Sequence, residues 1–138
     1  MDADRSILIR TWSEETADPV EIRGSCRYYI REDRRHVLFD TDNDRCRISF
    51  TDSGLVYKRQ GELAYELRLL NGEKTTSTVH TAYGTMRIVC NTMSYELSEV
   101  KDAIKILITY NMAEEYRKTE IIIKTVLQEN RKGEEGSV

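Results

Sequence analysis

Two histidines, three cysteines and a few polar residues that fall on apolar strand faces are the chemistry this chain offers. His36 and His80 sit in neither HxH nor HExxH spacing, so no metal ligand set is read from them. His80 lies within Thr78-Val79-His80-Thr81, a strand-like run, and reads as a surface or partly buried histidine rather than a general base. Cys26, Cys46 and Cys90 are far apart and form no CxxC pair. Their odd number and wide spacing argue against a disulfide framework and against a structural zinc. No glycine-rich phosphate loop and no GxSxG elbow occurs. The sequence therefore assigns no catalytic residue, no metal ligand and no cofactor.

Arg59 and Tyr57 hold more interest. They alternate with Leu55, so a strand that turns Leu55 to a core turns them inward too. A guanidinium cannot shed its proton to escape burial and must find acceptors. The nearest acids along the chain are Glu62 and Glu66, and Glu66 alternates outward against Tyr65 and Leu67. That leaves a backbone carbonyl, a threonine hydroxyl, water or a ligand anion. The plainer reading puts Arg59 at a strand end, reaching solvent. Thr75, Ser77, Thr81 and Thr92 add hydroxyls nearby, although threonine is a common strand residue in its own right.

The elements that must position these groups are strands. From Lys58 to Thr92 the chain reverses at Gln60-Gly61-Glu62, Asn71-Gly72-Glu73 and Ala82-Tyr83-Gly84, as in an antiparallel meander. Ser6–Trp12 reads as a first strand, and Trp12 is placed to plug one end of a barrel. Val20–Ile30 turns Val20, Ile22, Gly24, Cys26, Tyr28 and Ile30 to one face. His36–Thr41 follows, then a turn at Asp42-Asn43-Asp44. Arg45–Thr51 carries Cys46, Ile48 and Phe50 on one face, and Met86–Thr92 is a later strand. A break near Ser98–Asp102 leads to Ile104–Met112, and the last strand runs from Thr119 to Leu127. Three stretches fit helices as well: Glu62–Leu70, with Leu63, Leu67 and Leu70 at helical spacing, Leu97–Ile104, and Ala113–Val126.

The runs Leu55-Val56-Tyr57-Lys58-Arg59-Gln60-Gly61, Leu69-Leu70-Asn71-Gly72, Thr81-Ala82-Tyr83-Gly84 and Asn91-Thr92 resemble the YwiB-like family, uncharacterised bacterial β-barrels of calycin, lipocalin-like type. Ile106-Leu107-Ile108-Thr109-Tyr110-Asn111-Met112 is similar to its late strand. The likeness covers roughly Gly24 to Met112. Val79 stands where the family pattern tends to an aromatic, and the proline of its Thr-Pro-Phe-Gly break is missing here. The resemblance implies strands for all three ambiguous stretches and an arginine matching Arg59. It implies no activity, since fold analogy does not carry function. The ligand-binding candidates are then Arg59, Tyr57, Thr81, Thr92 and Tyr110.

The expected fold is all-β: one antiparallel meander β-barrel, calycin- or lipocalin-like, of about 8–10 strands. It would span residues 1–128, with a polar tail over 129–138. With 138 residues and a net charge of −3, the chain lacks the basic surface of a dedicated nucleic-acid binder. The acidic Met1-Asp2-Ala3-Asp4-Arg5 and the short apolar Ile7–Ile9 do not make a signal peptide, and no run spans a membrane, so a cytoplasmic protein is expected. Ser13–Pro19 is too short for the helical lid of fatty-acid carriers. Three functional classes stand open, in this order. The first is a non-catalytic barrel holding a small molecule. The second is an interaction or self-associating module, a homodimer covering the outward Leu107, Ile122 and Val126. The third is an enzyme using His80, Glu66 or Arg59.

Overall fold

The protein is described here from a computed structural model covering residues 5–15 and 17–125. The strands are β1 (Arg5–Ser13), β2 (Val20–Arg31), β3 (Arg34–Asp40), β4 (Asp44–Phe50), β5 (Gly54–Gly61), β6 (Ala64–Leu70), β7 (Lys74–Thr81), β8 (Gly84–Val100), β9 (Ala103–Met112) and β10 (Glu115–Thr125). Each pairs antiparallel with its chain neighbours, and β1 pairs with β10 to close the barrel. All three ambiguous stretches are strands. Helical spacing in Glu62–Leu70 loses to the cross-strand ladder that Tyr65 and Leu67 make with Arg59 and Tyr57. The expected break at Ser98–Asp102 shrinks to Lys101 and Asp102, because β8 pairs with β9 as far as Val100. Val126, Leu127, the expected domain end at 128 and the 129–138 tail lie outside the described residues.

The turns are tight. Two of them, at Glu32–Asp33 and Ala113–Glu114, hold both central residues at positive φ without a glycine. That backbone matches the right-handed twist of the flanking strands. A bulge between Thr92 and Ser94 shifts the register of β8 on β9. It lets Thr92 and Tyr95, three positions apart, both face the interior and both be buried.

The two ends of the barrel differ. At the end holding the β4–β5, β6–β7 and β8–β9 turns, Phe50, Leu55, Leu69, Tyr95 and Ile104 fill the lumen. Each such aliphatic or aromatic side chain contributes about 1.5–3 kcal/mol through its burial. The Tyr95 hydroxyl donates to the carbonyls of Thr51 (2.8 Å) and Gly54 (3.2 Å), tying the plug to the wall. At the opposite end the inward residues turn polar.

The wall is not evenly laced. The β2–β3 ladder joins only Arg27–Arg31 to Arg34–Leu38. Beyond it, Val20–Cys26 pairs with β1 alone, and Phe39 and Asp40 pair with β4 alone. The β6–β7 ladder is also short, three pairs. There hydroxyls take over: Ser77 Oγ accepts from the Arg68 N–H at 2.9 Å, and Thr75 Oγ1 donates to the Arg68 carbonyl.

Trp12 is not a plug. Ile7 and Ile9 face the core, so Trp12 faces out, with Lys118 Nζ 4.7 Å from its ring centroid. Leu107 and Ile122 also face out, half-buried, beside Leu8 of the neighbouring strand. An alternating ion-pair row, Arg23–Glu21–Arg10–Glu120–Lys105, runs across the same face.

Candidate functional site

At the polar end, β4 and β5 place Cys46 opposite Arg59 and Asp44 opposite Gly61. Arg59 Nε donates to Asp44 Oδ2 at 2.7 Å, and the other Asp44 oxygen accepts the Glu62 N–H at 2.6 Å. The acceptors of the guanidinium, for which the sequence leaves a backbone carbonyl, a threonine hydroxyl, water or a ligand anion, are the Asp44 carboxylate and, at 3.5 Å, the Thr41 hydroxyl. Asp44 looks like part of a turn in the sequence, yet it opens β4 and shares the inward face of Cys46, Ile48 and Phe50. Its carboxyl is held below the usual aspartate range, chiefly by the Arg59 hydrogen bond and further by the Leu63 and Glu62 amides, against the cost of burial. Burial works against the Arg59 charge, but bonds to Asp44 and Tyr65 more than offset it, and its pKa rises.

Tyr57 lies one step deeper. Its hydroxyl reaches Cys46 Sγ at 3.8 Å, its ring meets Tyr65 edge-on, and burial drives its pKa far above the phenol range. Tyr110 is buried on β9, where its hydroxyl pairs with Thr119 at 2.9 Å and Thr119 with Thr11 at 3.2 Å. Thr92, directly across the ladder from Tyr110, is 1 % exposed, and its hydroxyl has no hydrogen-bond partner among the described residues. Tyr57, Arg59, Thr92 and Tyr110 thus share the interior. Thr81 does not join them: its hydroxyl accepts the Tyr83 N–H and donates to the Gly84 carbonyl, fixing an exposed turn. Glu66 pairs with Arg68, and His80 is exposed beside Thr85, so neither approaches Arg59.

One concavity is not legible in the sequence. Where β2 parts from β3, a cleft of about 980 Å³ opens. It is lined by the inward Cys26, Phe39 and Cys46 and by the outward Arg27, Arg45, Arg47 and Lys58, with Asp40 and Gln60. The only route from sequence to this cluster runs through the register, which aligns Arg47 with Leu38 on one side and Lys58 on the other. A smaller hollow of about 410 Å³ lies at the rim over Arg59 and Asp44. None of the three cysteines forms a disulfide, and burial pushes the Cys46 thiol up.

No functionally curated protein matches this chain. Its fold is similar to that in the crystal structure of the ywiB protein from Bacillus subtilis, with a TM-score of 0.76 over 88 % of this chain and 90 % of that one, at 15 % identity. A family described as a domain of unknown function, DUF1934, matches residues 7–124, nearly every strand of the barrel. The chain belongs to that family, and its fold is the ten-stranded meander barrel of the YwiB-like proteins.

Proposed function

We propose that the protein is a non-catalytic barrel that binds a small molecule through the opening between β2 and β3. One observation carries this reading: beyond the last β2–β3 pair lies a cleft of about 980 Å³, lined by outward polar residues and by the buried, inward Cys26, Phe39 and Cys46. Binding sites are typically concavities of roughly 300–1,000 Å³ with an apolar floor and a few placed polar groups. Cys46 in the lining touches Tyr57, and Arg59 lies directly across the ladder from Cys46. In this reading Tyr57 and Arg59 brace the lining from behind. Thr92 and Tyr110 lie further into the lumen, where the unmet Thr92 hydroxyl favours a polar occupant or water.

The test is native mass spectrometry of freshly purified protein, beside a Ser25→Trp variant that fills the cleft mouth. The expected result is a small non-covalent adduct on the parent that the variant lacks. A bare parent mass, with no small molecule from a metabolite library bound in a Ser25→Trp-sensitive way, would overturn the proposal.

A second reading is self-association on the β9–β10–β1 face, favoured by the contiguous outward Leu8, Leu107 and Ile122. A concentration-dependent sedimentation coefficient, abolished by Leu107→Glu, is the expected sign.

A further inference from the structure

We propose that the cleft recognises a small ligand bearing two or more phosphate groups, held by Arg27, Arg45, Arg47 and Lys58. This deepens the ligand-binding reading and rests on it. The four cations come from three strands and converge on one concavity. Among the described residues none of the four has an ion pair, a state shared by Lys101 and Lys124 among others; what sets the four apart is that they line one concavity. Among the described residues lining the cleft Asp40 is the one carboxylate, against four cations, an excess of three; Glu66, across the ladder from Lys58, is already paired with Arg68.

That excess sits on a chain whose net charge is −3. Concentrating unpaired cations in one cleft of an acidic protein costs mutual repulsion, and a polyanion relieves it. His36, two residues before Leu38 on the same outer face, is held below the usual imidazole range chiefly by burial, and further by the charge of Arg47 in the cleft and of Arg34 and Arg31 outside it.

The spacing suits phosphates. Arg45 and Arg47 are alternate residues of β4, and Lys58 faces Arg47 across the ladder. Their backbones therefore lie within about 7–8 Å of one another, while Arg27 approaches from the β2 side. Guanidinium groups bind phosphate oxygens by paired N–H donors and an ammonium serves as a point charge. A single carboxylate would leave most of the excess charge unanswered, which is why two or more phosphates are named. The outer surface beyond the cleft is of mixed charge, so a long nucleic-acid strand lacks the continuous basic track it needs.

The probe is inorganic tripolyphosphate, titrated calorimetrically at about 150 mM salt to screen loose surface attraction. The parent is expected to bind saturably. An Arg47→Gln/Lys58→Gln double variant is expected to bind at least tenfold more weakly. A Lys101→Gln/Lys124→Gln variant, carrying the same charge change at the opposite end, should bind like the parent. Adenosine triphosphate binding tighter than tripolyphosphate would identify a nucleotide; equal binding would identify the phosphates alone; both support the proposal. His36 provides a second reading on the parent alone: its imidazole resonances should titrate at higher pH with tripolyphosphate bound. Absent or non-saturable binding overturns the inference, as does an equal loss in the two double variants or binding of single-stranded RNA alone. If tripolyphosphate fails while a Ser25→Trp-sensitive adduct free of phosphorus is found, this inference falls and ligand binding stands. If neither is seen, both fall.

Discussion

The carboxylate of Asp44 occupies the space where a side chain on residue 61 would begin: a Cβ built on Gly61 would lie 2.0 Å from Asp44 Oδ1. Gly61 also holds φ at +148°, a conformation that side chains disfavour. The glycine and the aspartate are one device, which frees the carboxylate to cap the β5–β6 turn and neutralise Arg59. Gly61→Ala should therefore destabilise the fold by about 2 kcal/mol or more, through strain and displacement together. Urea unfolding followed by tryptophan fluorescence measures it, and an unchanged midpoint would contradict the arrangement.

Asp44 gives a pH signature. Its folded carboxyl titrates below the ordinary value of about 3.9, so the fold favours its charged form. The stabilisation is complete above that ordinary value and is lost as pH falls through the lowered folded one. Asp44→Asn should be less stable than the parent at neutral pH, because Arg59 loses its partner. The gap between the two should narrow below about pH 4, as seen in thermal melts across pH.

His36 should titrate below about 6.5 in the free protein. Because the fold favours the neutral ring, its contribution is full above that value and declines as pH falls toward the folded pKa. The ring stacks on Tyr29 and pairs with Ser49 Oγ at 2.8 Å. Arg47→Gln removes one source of repulsion and should move the His36 titration upward, readable from its imidazole proton shifts.

Tyr95→Phe should cost about 1–2 kcal/mol, since two carbonyls at the packed end lose one buried donor. Tyr57→Phe should cost less, about 1 kcal/mol, because its hydroxyl's partners are a thiol at 3.8 Å and Tyr65 rather than two backbone carbonyls. Chemical denaturation of the two variants side by side checks the order.

The period-two runs made the meander legible, because alternation such as Cys46, Ile48, Phe50 is local information. The inward placement of Arg59 and Tyr57 could be read in the same way. Its acceptor is hidden because Asp42-Asn43-Asp44 reads as a turn, although the parity of Asp44 with Cys46 points it inward. The cleft could not be read at all. Where β2 leaves β3 depends on the twist of the closed sheet, and Arg27, Arg45, Arg47 and Lys58 become neighbours only once the register is known. Thr81 misled for a related reason: a hydroxyl beside a glycine turn serves that turn before any lumen.

The β1–β10 seam is the ladder that joins the two ends of the chain. Every other ladder joins strands adjacent in the chain, so hairpins can form early and locally, while the seam brings Arg5 against Thr125. A chain with the seam unclosed would present two raw sheet edges, one of them carrying Ile121, Ile122 and Ile123. Such a species folds slowly, because loop closure precedes its reward, and its edges can pair with those of another chain. Refolding should therefore be cleanest in dilute solution, and the seam is where crowded chains would first go astray.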